Sequence, residues 1–329
     1  MKEHRIVSLL PSATEIACAL GLSDQLAGIT HCCDYPREAI ADKPVVVHSA
    51  IPVETMSCNE IDVAVSAHLR AGESLYHVDE QLLRDLAPTL ILTQDLCQVC
   101  APSGNEVSRV LNSLPDKPDV IWMSPHSLAD IQADILSVAR ATHREAEANR
   151  LIIQMSARLA MVANTVKEVQ RPRVFCAEWI DPLYCSGHWV PEMVEIAGAI
   201  DVLGRKWKDS VRITWEQVLE AQPEVIVLMA CGYNCAEAAE RASWLAEQRG
   251  FHELPAVQEN RVFIVDAGYF SRPGPRVVDG AELLSHLFHP EHCRWSGPDD
   301  AYARFSSSKT KSRNERFRGS DVPILRAGQ

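Results

Sequence analysis

The sequence has no uninterrupted apolar run of about 18 residues, the length that a membrane-spanning helix needs. It also has no excess of positive charge. Its 44 Asp and Glu residues outnumber 32 Lys and Arg residues, which gives a net charge of -12 and argues against binding of a nucleic-acid backbone. The apolar run at residues 6–10 is too short for the core of a signal peptide. We therefore expect a cytoplasmic protein.

Several familiar functional signatures are missing as well. No G-x-G-x-x-G follows the first predicted strand, and the chain has neither a Walker loop nor a G-x-S-x-G elbow. The helical zinc motifs H-x-x-x-H and H-E-x-x-H are also absent. These absences argue against an NAD-linked or nucleotide-hydrolysing enzyme.

Cysteine, in contrast, is plentiful. The chain has 11 cysteines, an odd number in a chain too long to need disulfides for its stability. We expect free thiols. Cys18 and Cys176 lie in apolar segments and are expected to fill the core, whereas others lie among polar loop residues and need another explanation.

Residues 142–170 contain no Gly or Pro, begin with the capping-box pattern Thr142-x-x-Glu145, and precede Pro172. Apolar residues recur there at helical spacing, which predicts one long helix. The segments on both sides alternate between strand and helix patterns, which is typical of parallel sheets covered on both faces. The long helix is either one more helix packed on a sheet or a rigid spacer between two α/β lobes.

The spacer interpretation divides the chain into four parts. We predict an N-terminal α/β lobe at residues 1–126 and a helical segment, including the inter-lobe helix, at residues 127–171. A C-terminal α/β lobe follows at residues 172–295. The polar, basic and aperiodic residues 296–329 are predicted to form a disordered tail.

Polar, aromatic and thiol side chains are concentrated where the predicted strands end. Ligands of open α/β sheets bind outside the carboxyl ends of the strands, so two facing lobes would bring these loops to one cleft. The candidate ligand-binding residues are Ser12, His31, Asp34, Tyr35, Asp95, Glu178, Tyr184, His188, Trp189, Tyr233, Tyr269, Phe270 and Arg272.

The pair Cys97-x-x-Cys100 has a spacing suited to metal binding or to dithiol redox chemistry. A metal would need further ligands, for which His31 and His188 are also candidates. The alternative is that the thiols are small polarizable wall residues. The predicted metal-contacting thiols, which would hold zinc or iron, are Cys33, Cys97, Cys100 and Cys231.

Two further loops allow two interpretations each. His188 and Trp189 would offer an imidazole ligand beside an indole wall, or else a backbone-bonded histidine beside a core tryptophan. Residues 271–276 place Arg272 and Arg276 near the start of a helix. They would bind carboxylates or amides of a ligand, or form a purely structural turn.

Four of these segments carry a family resemblance: SLLPSATE at residues 8–15, THxxDYP at 30–36, GxWxxEM at 187–193 and SRPGPR at 271–276. Together they resemble the cobalamin-type branch of the periplasmic solute-binding proteins for iron complexes and corrinoids, over about residues 5–290. The resemblance implies an α/β fold of two Rossmann-like lobes joined by a single long α-helix, the class III or helical-backbone metal-receptor type. It also implies a corrinoid ligand, such as cobalamin, between the lobes.

The resemblance implies a partner too. In that family a glutamate on each lobe docks onto a membrane ABC transporter, and Glu106 and Glu192 are the nearest matches by position. The sequence departs from the family pattern at its N-terminus, where neither a signal peptide nor a lipid-anchor cysteine is found, and in its cleft cysteines.

The leading hypothesis is a monomeric, cytosolic and non-enzymatic protein that binds a corrinoid or related metal chelate. Tyr184, Trp189, Tyr233 and Phe270 would cover the flat macrocycle. The alternative is a metal- or thiol-dependent enzyme that acts on a metallocofactor through the cleft cysteines. A third hypothesis is a secreted transport component whose leader is missing because of a wrongly assigned start codon.

Overall fold

The computed structural model describes residues 4–94, 111 and 114–305. The predictions for Asp95, Cys97, Cys100 and Glu106 lie outside the described residues. None of the helices in the described ranges combines the length and the apolar character needed to cross a bilayer.

The N-terminal lobe is built on a six-stranded sheet with the strand order β4-β3-β2-β1-β5-β6. All neighbouring strands are parallel except β4, which runs antiparallel to β3. The strands are β1 Ile6–Ser8, β2 Leu26–Thr30, β3 Val45–Ser49, β4 Tyr76–Val78, β5 Leu90–Gln94 and β6 Asp119–Met123. The helices in residues 4–94 of this lobe are α1 Pro11–Ala19, α2 Arg37–Ile40, α3 Cys58–Ala71 and α4 Glu80–Leu86.

Two long helices follow β6. The sequence predicts that the second of them begins at Thr142. Helix α5 spans Leu128–Thr142 and helix α6 spans Glu145–Thr165. The Thr142 hydroxyl does not cap α6, because it donates to the carbonyl of Val138 in the last turn of α5, at 2.8 Å. His143 then takes a left-handed conformation with φ 56° and separates the two helices.

The C-terminal lobe repeats the design with a sheet ordered β10-β7-β12-β13-β14, on which β8 pairs with β7. Strands β8 and β14 are antiparallel to their neighbours, and the other pairs are parallel. The strands are β7 Arg173–Trp179, β8 Tyr184–Cys185, β9 Gly187–His188, β10 Ile200–Asp201, β11 Arg205–Lys206, β12 Val225–Leu228, β13 Val262–Val265 and β14 Tyr302–Arg304. The helices are α7 Val190–Ile196, α8 Trp215–Ala221, α9 Cys235–Arg241, α10 Ser243–Ala246, α11 Pro255–Gln258 and α12 Val277–Phe288.

Capping boxes set the starts of several helices, as sequence patterns of this type predict. Ser57 with Glu60 begins α3, and Ser127 with Asp130 begins α5. In each box the hydroxyl accepts from the backbone of the fourth residue, whose carboxylate accepts from the backbone of the first. Polar residues at these positions therefore fix where the chain turns from loop to helix.

The predicted disordered tail begins too early at residue 296. Tyr302–Arg304 forms β14 on the edge of the second sheet, where the Tyr302 ring packs edge-on against Phe263. The Tyr302 hydroxyl also lies 3.1 Å from His286 Nε2. These contacts add a short strand that the polar composition of the region conceals. The other predicted boundaries, at residues 126 and 171, stay predictions.

The structure confirms the predicted α/β fold of two lobes joined by a long helix. The 21 residues of α6 extend over roughly 32 Å at ~1.5 Å per residue, and the helix packs against both α5 and α12. One cluster of buried side chains runs from Ile6 and Leu10 of the first lobe, past Met155 of α6, to Val174 and Phe270 of the second. A large change in the angle between the lobes would disrupt this shared core.

Candidate functional site

The loops that follow β2 and β13 meet across the two lobes in a cluster of four charged side chains. Arg272 pairs with Asp34 through both guanidinium nitrogens, with Nη2 2.7 Å from Oδ2. Arg276 pairs with Glu15 of α1 in the same two-pronged way, at 3.0 and 2.7 Å. Arg272 also lies 3.4 Å from Glu15, so the two pairs form one network.

The four charges of this network are paired with one another across the lobes. They stabilise the contact between the lobes and leave little charge for a ligand. Burial of Asp34 opposes ionisation, but the ion pair with Arg272 outweighs burial and lowers the pKa of the carboxyl. Burial raises the pKa of Glu15, which is 3% exposed, and its bonds to Arg276 offset that only in part. The guanidinium of Arg272 is engaged by carboxylates of the protein, and its predicted role in ligand binding stays a prediction.

Three of the predicted aromatic residues lie in the core of the molecule. Trp189 is 4% exposed, and its indole nitrogen donates to the carbonyl of Phe270 at 2.8 Å. Phe270 is 1% exposed and Tyr269 8%. The prediction that Trp189 and Phe270 cover a macrocycle does not fit the structure, because these rings fill the interior beside α6 and α12.

Other aromatic residues do lie where the lobes meet. The ring of Trp179, the last residue of β7, stacks with that of Tyr233, which follows β12, with centroids 5.6 Å apart. The Trp179 indole donates across the lobes to the carbonyl of Cys58 at the start of α3, at 3.3 Å. The guanidinium of Arg241 lies over the Tyr233 ring at 4.2 Å. This half-buried pair forms an aromatic surface between the carboxyl ends of the second sheet and α3.

A second polar contact closes the same side of the interface. The Tyr184 hydroxyl lies 3.3 Å from Asp62 of α3, and Arg212 binds both oxygens of that carboxylate at 2.9 and 2.7 Å. Tyr184 is therefore correctly placed between the lobes. Sequence reasoning misses its partners Asp62 and Arg212. Asp62 lies inside a helix, and neither residue follows a strand of the main sheets. Candidates predicted from the sequence come only from the loops that follow strands.

Four other predicted residues have local roles. Ser12 is buried in the first turn of α1. His31 has both ring nitrogens near partners, with Nδ1 2.9 Å from the Val47 carbonyl and Nε2 3.2 Å from Cys32 Sγ. The Glu178 carboxylate accepts from the Gly187 backbone at 2.8 Å. Tyr35 is 46% exposed, and its ring lies 4.4 Å from the Arg276 guanidinium.

Thiols from both lobes approach one another at the same interface. Cys33 Sγ lies 3.1 Å from the Thr14 hydroxyl, and Cys231 of the second lobe is close enough to Cys32 to affect its pKa. Burial raises the pKa of Cys32 and of Cys33 to about 11. Because the thiolate is the form that attacks substrates and binds metals, neutral thiols argue against a thiol enzyme at this site.

The described ranges contain a group of ligand-type side chains at metal-binding distance, and it includes no cysteine. His126, His188 and Asp209 each offer an atom within 4.8 Å of the other two. The predicted metal set of Cys33, Cys97, Cys100 and Cys231 stays a prediction, since two of its members lie outside the described residues.

Glu192, the predicted transporter contact of the second lobe, is bound within the protein. Its carboxylate accepts from the Leu128 backbone nitrogen at the start of α5, at 3.0 Å, and lies 3.4 Å from the Trp207 indole nitrogen. Docking through Glu192 would therefore compete with the cap of α5.

A groove of about 570 Å³ lies beside the connecting helix. It is lined by Leu151 and Met155 of α6, by Tyr35, and by Glu15 and Arg276 of the charged network. It is a concave surface between the lobes, on the helical side of the network.

Comparisons with known proteins agree on one family. The sequence matches the family described as periplasmic binding protein over residues 6–269. The vitamin B12-binding protein of Vibrio cholerae is 25% identical over 292 residues, which cover 85% of this chain and 87% of that protein. An uncharacterized ABC transporter substrate-binding lipoprotein of Bacillus subtilis is 24% identical over 297 residues, 87% of this chain and 80% of that one.

A solved structure extends the likeness to the fold. A periplasmic heme-binding protein from Pseudomonas aeruginosa superposes with a TM-score of 0.70 at 18% identity, covering 92% of this chain and 98% of that chain. A likeness at this identity supports the two-lobed architecture and no finer property.

These findings overturn the predicted cytoplasmic location. The matching family is described as periplasmic, and one relative is a lipoprotein. The prediction is wrong because it rests on the first residues of the sequence, whereas the family is extracytoplasmic.

Proposed function

The chain belongs to the periplasmic binding protein family, and from this membership we propose that it binds a cobalamin-type corrinoid between its lobes. The observation that carries the proposal is the meeting of strand-exit loops from both sheets at one interface. Asp34 meets Arg272 there, and the Trp179 indole reaches Cys58. Ligands of open α/β sheets bind at such carboxyl ends.

The relatives support a metal chelate as the ligand class. The Vibrio cholerae relative is named for vitamin B12 and matches this chain over most of both lengths. The stacked rings of Trp179 and Tyr233 supply an apolar face for a flat macrocycle. Haem, the ligand named for the Pseudomonas protein, is a flat metal chelate too and is the second candidate.

The charge pairing favours the corrinoid over haem. The carboxylates of haem are best held by a cation, whereas neutral hydrogen-bond partners are sufficient for the side-chain amides of a corrinoid. Arg272 and Arg276, which lie at the interface, are each paired with a carboxylate of the protein. A neutral ligand of amides leaves this network intact, but a haem would have to displace Asp34 or Glu15.

As in the lipoprotein relative, whose name assigns it to an ABC transporter, the bound chelate would be delivered to a membrane transporter. Both oxygens of the Glu192 carboxylate would become available to that partner once Oε2 releases the Leu128 backbone. The transporter partnership therefore belongs to the proposal, together with the ligand.

The test is a comparative titration of purified protein with cyanocobalamin, dicyanocobinamide and haemin. Binding is measured by the quenching of tryptophan fluorescence. The proposal predicts saturable binding of cyanocobalamin near micromolar or tighter, or about -8 kcal/mol. Haemin should bind more weakly. If haemin binds more tightly, the corrinoid assignment is wrong, and if none of the three binds, the chelate-binding function is wrong.

A further inference from the structure

A group of metal-type ligands lies at a different part of the contact between the lobes, away from the charged network. His126 follows β6 of the first lobe, His188 ends β9 of the second, and Asp209 follows β11. We propose that these three side chains form a site that bridges the two lobes and binds a divalent transition-metal ion. Zinc is the ion of best fit.

The spacing of the donor atoms suits such an ion. Nε2 of His188 lies 3.2 Å from Oδ1 of Asp209. Zinc bonds of ~2.1 Å in a tetrahedral site separate neighbouring ligand atoms by roughly 3.4 Å, so this pair already has the required spacing. His126 offers its donor atom within 4.8 Å of both, so a small movement of its side chain would complete the set.

The backbone around His188 holds its ring in place. Its peptide nitrogen donates to the Lys208 carbonyl at 2.7 Å, and its own carbonyl accepts from the Trp207 nitrogen at 2.8 Å. The residue has φ 51°, a conformation that non-glycine residues rarely adopt. The neighbouring Gly187 is pressed against the 208–210 segment, where an added Cβ would lie 2.4 Å from the Ser210 nitrogen. The ribbon of β9 and β11 thus fixes His188 beside Asp209.

His126 is also oriented by its surroundings. Its Nδ1 lies 3.1 Å from the Ser124 carbonyl, so a proton on Nδ1 donates there and Nε2 keeps its lone pair. Metal-bound histidines characteristically donate their second nitrogen to a carbonyl or carboxylate in this way. The backbone nitrogen of His126 donates to Asp130 at 3.0 Å, which ties the loop to the first turn of α5.

Both histidines offer a ring nitrogen to the same position, and metals bind the neutral form of imidazole. The His126 ring lies 5.5 Å from that of His188, so an ion would replace a contact between two imidazoles by two bonds. Three protein ligands leave a fourth position for water or for a donor group of a bound solute.

The test is a calorimetric titration of chelator-stripped protein with zinc chloride. The wild type should bind one ion at this site, and His126→Ala and Asp209→Asn should each weaken that binding about tenfold or more. Both side chains are exposed, so the variants are expected to fold, which circular dichroism verifies. His252→Ala, the same kind of change at an exposed histidine outside the group, should leave the affinity unchanged.

Titration with cobalt(II) under anaerobic conditions distinguishes this site from the cysteines. A site of imidazole and carboxylate gives weak d–d bands, whereas cysteine ligands add strong thiolate-to-cobalt absorption in the near ultraviolet. Zinc affinity unchanged in both variants, or strong thiolate absorption at the first equivalent, would overturn the proposal. No macrocycle is present in either titration, so their failure leaves the corrinoid proposal intact.

Discussion

At the scale of single residues, Asp134 is the carboxyl least well matched to its surroundings. It lies half-buried on α5, and its Oδ2 has no hydrogen-bond partner among the described residues. Burial, reinforced by the charge of Asp130, raises its pKa to about 7. Ionisation of Asp134 at neutral to alkaline pH therefore opposes folding.

The consequence is a stability that falls with rising pH. The carboxyl has a pKa of about 3.9 in the unfolded chain. Between that value and about 7 the folded state binds more protons than the unfolded state, so this residue makes the free energy of unfolding decrease as the pH rises. We expect Asp134→Asn to reduce this decrease, as measured by urea unfolding at several pH values from about 5 to 8.

The control for Asp134 is Asp116→Asn, a change of the same kind on an exposed loop. It should retain the pH dependence of the wild type. A pH dependence of Asp134→Asn equal to that of the wild type would show that the carboxyl does not titrate in this range.

Tyr233 is the residue on which the proposed binding surface most depends. Replacing it with alanine removes one ring of the stack with Trp179, and we expect cyanocobalamin affinity to fall on the order of tenfold. Tyr302→Phe is the matched control, because that tyrosine lies on β14 and contacts Phe263 and His286 instead. Equal affinities of the two variants would show that the ligand does not bind against the Trp179–Tyr233 stack.

At the scale of elements, the contact between α6 and α12 joins the connecting helix to the second lobe. Arg158 of α6 donates to both oxygens of Glu282, at 2.8 and 2.6 Å, and to Asp279 at 2.5 Å. Its side chain is 40% exposed, so water screens these bonds. Loss of the guanidinium nevertheless leaves two carboxylates of α12 close together without their cation.

We therefore expect Arg158→Gln to lower the free energy of unfolding by about 1 kcal/mol. Arg150→Gln on the same helix is the control, because Arg150 is 72% exposed and its described contacts stay within α6, with Glu147 at 3.8 Å and the Ala146 carbonyl at 3.5 Å. Chemical denaturation of both variants measures the difference. A loss at Arg158 no greater than that at Arg150 would show that the bridge does not stabilise the α6–α12 contact.

The elements also show what the sequence can predict. The alternation of strand and helix patterns predicts the two sheets, because apolar periodicity directly reflects which face of an element is buried. It places the start of α6 too early, at Thr142, because no glycine or proline marks the left-handed turn at His143 between the two helices. It also misses β14, whose pairing depends on partners distant in sequence.

The same limit applies to the site. The strand-exit argument correctly brings Asp34, Tyr184 and Tyr233 to the interface, because the carboxyl ends of parallel strands share one edge. It does not reveal which way a loop side chain points. Trp189 and Phe270 turn into the core. Trp179, which is still part of β7, faces the other lobe instead.

At the scale of the whole molecule, the two lobes are held by contacts on several sides. The charged network, the Asp62–Arg212 pair and the shared core around α6 all cross between the lobes. A protein built in this way binds by local adjustment of its exit loops rather than by wide closure. The central claim is therefore that the ligand contacts loops of both lobes at once.

Amide hydrogen exchange with and without cyanocobalamin tests this claim most directly. The account predicts slower exchange on binding in two segments, residues 30–36 of the first lobe and residues 230–235 of the second. Protection confined to one lobe, or to the α6 groove around Leu151 and Met155, would contradict binding between the strand-exit loops.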